Sequence, residues 1–507
     1  MDRTLLNMTS ALIAWGWPVL LSFLVTPLLL EGLGIDAFGV RSILIMIVGY
    51  FSMLNFGISG AVTKYLSEHI SKNESNIVGD LLSTSLWIHV LIGAIGGLAI
   101  FMSAEQLVIN VFKIPSEIHE ASILALELAS AAFFFTMINS WAGAVATGLH
   151  RLDIYNYIMM LYGTLTLLGS LILVLQGYGL VGVSVANLVA TCVVLFVYLV
   201  VLRRRGVRLE KGFFIKKYMF LKLVKFGSHM AIFGMFAILF SQVDRILVGI
   251  YLGSAMLTYY IIPHQLAIVV HQLSAKMMQF LLPLISIINV DDKLSIRKIC
   301  LKGVSVSLIL SLSLALPIIV FGDSILLFWI GEDIQKVSGP ILRILTLSYV
   351  LMSLTSVFSS IFGGMGHVHI VSLSSIATGV IGVLLYYLTI EDFGLLGVSL
   401  SGVVAIMASI FIYITKLIKY INIKISELLI VMVKPILIFI VVTVLFYWIS
   451  AFLVFDNLLE VLIMGTISCF VYILMCWSFN LIKIDEKKRI LSFIKYIVFK
   501  LKLKYSN

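Results

Sequence analysis

Long apolar runs broken by short polar stretches dominate this chain. The runs are continuous and roughly 20 residues long, the length a helix needs to cross the hydrocarbon of a bilayer. They lack the alternation of period two that marks membrane barrel strands. Backbone polar groups in lipid must be paired internally, which leaves helices or a closed barrel. The pattern therefore predicts an all-α membrane protein of about fourteen transmembrane helices. The expected spans are 9–30, 39–61, 80–102, 120–148, 154–175, 178–202, 226–251, 256–288, 300–322, 340–364, 368–390, 394–415, 427–450 and 458–481. Some exceed a single crossing and should tilt or project beyond the bilayer. The start carries Asp2 and Arg3 and leads into the first run with no small-residue cleavage site, so span 1 is expected to be retained.

Composition narrows the function. The chain is 61% hydrophobic and 12% charged, with a mean hydropathy of +1.12. A soluble protein carries about 25% charged residues. No room remains for a soluble catalytic domain. Cys192, Cys300, Cys469 and Cys476 share no short metal spacing and are expected to be free thiols. There is no phosphate loop of the Gly-x-x-x-x-Gly-Lys-Ser/Thr type, which argues against ATP hydrolysis. No long outer loop could house a glycan polymerase or ligase site, and no His/Cys cluster suggests a metal. The chain is therefore expected to move a substrate, without a cofactor, and not to be an enzyme.

Charge orients the spans. Arg203, Arg204, Arg205 and Arg208 follow span 6, Arg297 and Lys298 follow span 8, Lys416 and Lys419 follow span 12, and Lys487, Lys488 and Arg489 follow span 14. The opposite loops are short and acidic, with Glu31, Asp36, Asp323, Glu332, Asp333, Glu391 and Asp392. Lys and Arg mark cytoplasmic loops, so both termini are expected in the cytoplasm. The net charge of +10 then reflects orientation and anionic membrane lipids, with no nucleic acid implied.

The halves repeat. Tyr178-Gly-Leu-Val-Gly-Val-Ser184 opens span 6, and Phe393-Gly-Leu-Leu-Gly-Val-Ser399 opens span 12, 215 residues later. The same spacing carries Gly148 onto Gly363, and Leu33-Gly34 aligns with Leu252-Gly253. Six spans per unit is an even number, so the two units face the same way, as two parallel lobes related by an axis along the membrane normal. The expected division is an N-terminal six-helix lobe over 1–205 and a basic cytoplasmic linker over 206–225. A C-terminal six-helix lobe follows over 226–420, then two extra helices and a basic tail over 421–507.

With Ser241-Gln-Val-Asp-Arg-Ile-Leu-Val-Gly249 added to the paired motifs and the six-plus-six-plus-two arrangement, the chain resembles the polysaccharide transporter family. Its members include the O-antigen and capsule repeat-unit flippases of the multidrug/oligosaccharidyl-lipid/polysaccharide superfamily. The resemblance implies two six-helix lobes around a V-shaped central cavity. It also implies an inner-membrane flippase that moves an undecaprenyl-pyrophosphate-linked glycan from the cytoplasmic to the outer leaflet. Proton or sodium is the implied coupling ion, and glycan polymerase or other assembly proteins are the candidate partners. No charge occupies the first helix near Thr26, so any family role for one there does not carry over.

Such a cargo needs a polar cavity with cations for the diphosphate. Span 8 offers a wall. His264 and His271 are seven apart and share a helix face. Gln265, Gln272 and Lys276 form an adjacent row, extended by Gln279. Lys276, His264 and His271 are candidates for the phosphates and the glutamines for sugar hydroxyls; the alternative is an interhelical polar contact or a snorkelling lysine. In span 7, Arg245 could meet the diphosphate and Asp244 carry a coupling proton or cation. Neighbouring residues point about 100° apart on a helix, so the two are expected to pair with other helices. Glu127 in span 4 is a candidate for proton exchange or for a structural hydrogen bond. His229, His89, Arg41 and Arg343 are weaker candidates, and Lys434 is expected to snorkel. Ser52, Asn55 and Ser59, on one face of span 2, line a cavity or pack helices together. Pro18, Pro27, Pro263 and Pro283 mark places where spans 1 and 8 kink.

Three other functions compete: a multidrug exporter of the same superfamily, a flippase for the peptidoglycan lipid precursor, and a membrane-embedded glycan polymerase. The basic groups of span 8 favour an anionic cargo over the amphipathic cations of drug exporters.

Overall fold

The computed structural model describes residues 3–204, 215–288, 292–479 and 481, and these contain helices and no strand. The chain enters through α1 (Arg3–Leu33) and α2 (Ile35–Ser52). A 3-10 turn over Met53–Asn55 leads into α3 (Phe56–Ser71). Then come α4 (Ser75–Gln106), α5 (His119–Gly148), α6 (Leu152–Leu175) and α7 (Gly179–Arg204). The second half holds α8 (Lys217–Leu247), α9 (Gly253–Met278), the short α10 (Leu281–Ser286), α11 (Lys293–Trp329) and α12 (Glu332–Gly364). It ends with α13 (Val368–Ile421), α14 (Ile425–Phe452) and α15 (Leu458–Ser478).

Twelve described stretches are long and apolar enough to cross a membrane. One is the 54-residue α13. At 1.5 Å per residue it would extend roughly 80 Å, far beyond a hydrocarbon core of about 30 Å. Gly394 divides it, at φ 54 and ψ −136. Another stretch, Gln242–Ser286, takes in the end of α8 and all of α9 and α10. Counting α13 as two crossings and α8 as one of its own brings the twelve to fourteen. This is a multi-pass, all-helical membrane protein. Side chains cap helix starts: Asp292 accepts from the Ser295 amide at the start of α11, and Asn457 accepts from the Glu460 amide at the start of α15.

The backbone carries the repeat too. Gly34 has φ 79 and Gly253 has φ 86, each at the start of the following helix. Lys113 and Gly331, His150 and Gly366, and Gly179 and Gly394 are further positive-φ pairs in the same order along the halves. Left-handed backbone suits glycine, and an asparagine, histidine or lysine there is uncommon. Four matched reversals are a stronger sign of duplication than the matched letters.

Two compact units form. Unit 1 comprises Met1–Ile261 with Gly382–Val398, and unit 2 comprises Ile262–Ile381 with Ser399–Asn507. The packing units and the repeat divide the chain differently, because α8 opens the second repeat but packs in unit 1 against α3. The contact is close: a Cβ on Gly57 would collide with the Gly227 carbonyl. At the other end of α2, Gly39 lies equally close to the Ser254 carbonyl, and the Ser254 hydroxyl donates to Asp36 at 2.6 Å. Beyond Gly57, Lys222 lies 3.1 Å from His69 and sits over the Tyr65 ring. The core of unit 1 gathers Val62, Leu66, Leu81, Trp141, Val145 and Tyr198.

In unit 2 the core runs from α9 through α11 and α12 into the last two helices. Phe321 of α11 meets Phe446 of α14 edge-on, Gly465 of α15 lies against Pro317, and Arg297 pairs with Glu427. The two helices outside the repeat are thus packed on α11. One face of α14 stays exposed, with Val433, Leu437, Val444 and Trp448. Exposed aliphatic rows on a membrane helix suit lipid. Pro263 lies inside a continuous α9, and Pro283 lies in the first turn of α10 after a break at Gln279 and Phe280.

Candidate functional site

A cavity of about 430 Å³ lies within unit 1. Its first wall is the α2–α3 segment. Ser52 ends α2, Asn55 ends the 3-10 turn, and Ser59 and Thr63 follow on α3. A 3-10 stretch within a longer helix often marks a functional hinge. The second wall is α5, with Thr136, Asn139, Ser140 and Thr147. Small residues bring α5 in: a Cβ on Gly148 would press on Leu66, and one on Gly143 would touch Tyr155. Tyr155, Tyr162 and Tyr198 complete the lining from α6 and α7. Among the described residues, none that lines it carries a charge.

Much of this wall is hydrogen-bonded to itself. The Ser59 hydroxyl lies 3.1 Å from Asn55 Oδ1 and 3.2 Å from His89 Nε2. His89 is fully buried, and its Nδ1 donates to the Ser85 carbonyl at 2.7 Å. Thr63 shares 3.0 Å with Thr147, and Asn139 Nδ2 donates to the Thr191 carbonyl at 3.0 Å. Two groups are left over. Asn139 Oδ1 and the Tyr198 hydroxyl are buried without a partner among the described residues. A buried polar atom left unbonded costs about 1–3 kcal/mol. Water or a ligand hydroxyl would remove that cost. The wall therefore offers amide and hydroxyl groups beside aromatic faces, in a volume within the usual range for ligand sites of about 300–1,000 Å³.

A smaller cavity of about 230 Å³ lies in the same unit. Tyr162 lines both. Arg41 of α2 lines the smaller one, with Thr166 and Ser170 of α6 and Ser184 and Asn187 of α7.

The charged candidates lie apart from the larger cavity. Asp244 and Arg245 do pair with each other, Oδ1 to Nε at 3.7 Å, contrary to the expectation from helix geometry. Side chains on adjacent residues diverge at Cβ, but a long guanidinium can fold back. Tyr260 also donates to Asp244 Oδ2 at 2.8 Å. Glu127 is half-buried, with no ion pair to its carboxylate among the described residues. The side chain of His229 lies outside the described residues, as do residues 206–214 of the basic linker.

In unit 2, His264 and His271 share a face, and that face meets one residue, Tyr349 of α12. His264 is buried, with Nε2 2.6 Å from the Tyr349 hydroxyl. His271 stacks on the same ring at 6.3 Å, and its Nδ1 is buried without a partner among the described residues. Gln265 and Gln272 are half-buried, while Lys276 and Gln279 are exposed. Arg343 pairs with Asp323 near the surface, and Lys434 is exposed on α14. All four cysteines are free. Tyr349, Asn139, Tyr162, Tyr198 and Asn187 escape a reading of the sequence. Each is a lone polar or aromatic residue within an apolar run, and only its neighbours give it meaning.

Comparison with known proteins agrees with this architecture. The family described as "Polysaccharide biosynthesis protein" matches residues 33–339. The chain belongs to the polysaccharide biosynthesis protein family. It is 24% identical over 394 residues to the "Putative O-antigen transporter" of Shigella flexneri, covering 77% of this chain and 92% of that one. Among solved structures, the lipid II flippase MurJ in an inward closed conformation has a TM-score of 0.71 at 14% identity, covering 92% of this chain and 98% of its own. An inward-facing multidrug resistance transporter of the MATE family, of the MOP superfamily, has a TM-score of 0.64 at 16% identity, covering 80% and 97%. The fold is thus the one these solved structures share. These relatives are named as transporters and a flippase, not as enzymes.

Proposed function

We propose that this protein is a secondary transporter. It flips an undecaprenyl-pyrophosphate-linked oligosaccharide repeat unit from the cytoplasmic to the outer leaflet by alternating access. The observation that carries this reading is the neutral cavity of unit 1. Hydroxyls, amides and tyrosine rings are the groups that recognise a sugar, and the Asn139 Oδ1 and Tyr198 hydroxyl on this wall are buried without a partner among the described residues. Intramembrane polar groups are costly and mark substrate pathways. The name of the Shigella relative adds support for a lipid-linked glycan as cargo.

In this reading Asn55, Ser59, Thr63 and Asn139 hold sugar hydroxyls, and Gln265 and Gln272 add further contacts. Lys276, exposed on α9, and Arg245 take the diphosphate. His264 and His271 set the shape of that wall through Tyr349. Glu127, whose carboxylate is unpaired, exchanges the coupling proton, or Asp244 binds the coupling cation. The protein sits in a bacterial inner membrane with both termini cytoplasmic, as its basic loops direct. Proteins that polymerise the flipped unit are its natural partners.

The test is reconstitution in liposomes with a lipid-linked oligosaccharide. Accessibility of the sugar is measured from each side, with and without a proton or sodium gradient. The reading expects movement between leaflets that a gradient accelerates. Sugar confined to its starting leaflet overturns it, and chain growth would reveal a polymerase. Lys276→Ala and Arg245→Ala should slow translocation without loss of expression; wild-type rates in both remove the diphosphate assignment.

A further inference from the structure

We infer that the smaller cavity of unit 1 is an oxyanion subsite, and that the cargo's sugar portion carries an acidic group which Arg41 binds. The inference rests on the flippase reading and names the substrate class that this chain would prefer.

Arg41 lies on α2, and its Nε is buried without a hydrogen-bond partner among the described residues. Its guanidinium carbon lies over the Phe38 ring, 5.3 Å from the centroid. No carboxylate lines the cavity. Its polar lining is neutral and able to donate to an anion: the hydroxyls of Thr166, Ser170 and Ser184 and the amide of Asn187. The Tyr162 hydroxyl donates to Asn187 Oδ1 at 2.8 Å. That bond fixes the amide so that its nitrogen, a pure donor, is the end left for other contacts.

A guanidinium within a membrane span is expensive unless it is paired or solvated. Arg245, by contrast, has an acid beside it, Asp244 at 3.7 Å. Arg41 has no carboxylate partner among the described residues, and the neutral hydroxyls and amide around it can solvate its charge but not balance it. The missing counter-charge is therefore supplied from outside the protein. Two sources share the required chemistry: a sugar carboxylate and the phosphates of the lipid carrier. The geometry favours the carboxylate. One guanidinium matches one carboxylate in charge and in its forked pair of N–H groups. A diphosphate carries more charge than this single cation can balance. The cavity also shares Tyr162 with the neutral cavity assigned to sugar, so one oligosaccharide can reach both.

The experiment uses the full chain in liposomes and two cargoes on the same undecaprenyl diphosphate. One oligosaccharide contains a uronic acid; in the other that carboxyl is reduced to hydroxymethyl. The wild type should flip the acidic cargo faster by about tenfold or more, the size expected for a hydrogen-bonded charge pair. Arg41→Gln should bring the ratio of the two rates towards one. Asn187→Asp, which places a competing carboxylate in the same cavity, should do the same if Arg41→Gln does not fold. Equal rates for the two cargoes in the wild type overturn the inference while leaving the flippase reading intact. A ratio unchanged in Arg41→Gln, with both rates lowered, assigns the bound anion to the diphosphate and also overturns it. Movement of neither cargo defeats the flippase reading itself.

Discussion

Two helical segments hold the same place in the two repeats and meet opposite ends. The α2–α3 segment follows Gly34, and α9 follows Gly253. Each carries polar residues on one face. On α2–α3 they are Ser52, Asn55 and Ser59, which are short, and a cavity of about 430 Å³ remains in front of them. On α9 they are His264 and His271, whose rings close on Tyr349. The α2–α3 segment, which has no proline, breaks at Met53–Asn55, while α9 runs on through Pro263 and breaks only at Gln279 and Phe280. A polar stripe thus identifies a face turned towards other protein. Side-chain volume on that face and on its neighbour decides whether room is left for a ligand.

This comparison can be broken most severely at Gly57. With the Gly227 carbonyl against it, Gly57→Val has no space, and overpacking of this kind costs about 1–3 kcal/mol or more. The expected result is a marked fall in melting temperature in detergent and loss of transport. A variant of normal stability would show that α3 and α8 need not lie this close. Ser59→Phe sharpens the contrast by giving α3 the bulk that α9 already has. Transport should fall to background while the protein still folds, as judged by its elution and melting curve. In the opposite direction, Tyr349→Phe leaves His264 Nε2 without its hydroxyl partner. The expected destabilisation is about 1–3 kcal/mol, with transport affected less than by Ser59→Phe. The smallest effect belongs to Ser52→Ala. Its hydroxyl returns to the Val48 carbonyl at 2.8 Å within its own helix, so stability should change by less than about 0.5 kcal/mol and transport only slightly.

The larger cavity was partly legible beforehand. Ser52, Asn55 and Ser59 are spaced by three and four, and the structure has all three on its wall. The opposing wall was not legible. Thr136, Asn139 and Thr147 on α5 and the tyrosines of α6 and α7 have no distinctive spacing, and they converge only because Gly143 and Gly148 let the helices approach. Asp244 and Arg245 show the converse failure. Helix geometry argued against their pairing, but the reach of an arginine side chain exceeds the separation of adjacent Cβ atoms.

The amino-acid sequence alone determined the class of fold, the fourteen crossings and the duplication, and its basic loops carry an expectation of orientation. All of these follow from local quantities: the apolar length that spans a bilayer, the period of the backbone, and where lysine and arginine tolerate no lipid. Tertiary structure alone decided which polar faces stay open, which side chains are satisfied and which cation lacks a counter-charge. Those depend on which residues from distant helices meet, and on whether their summed volume fills the space between them.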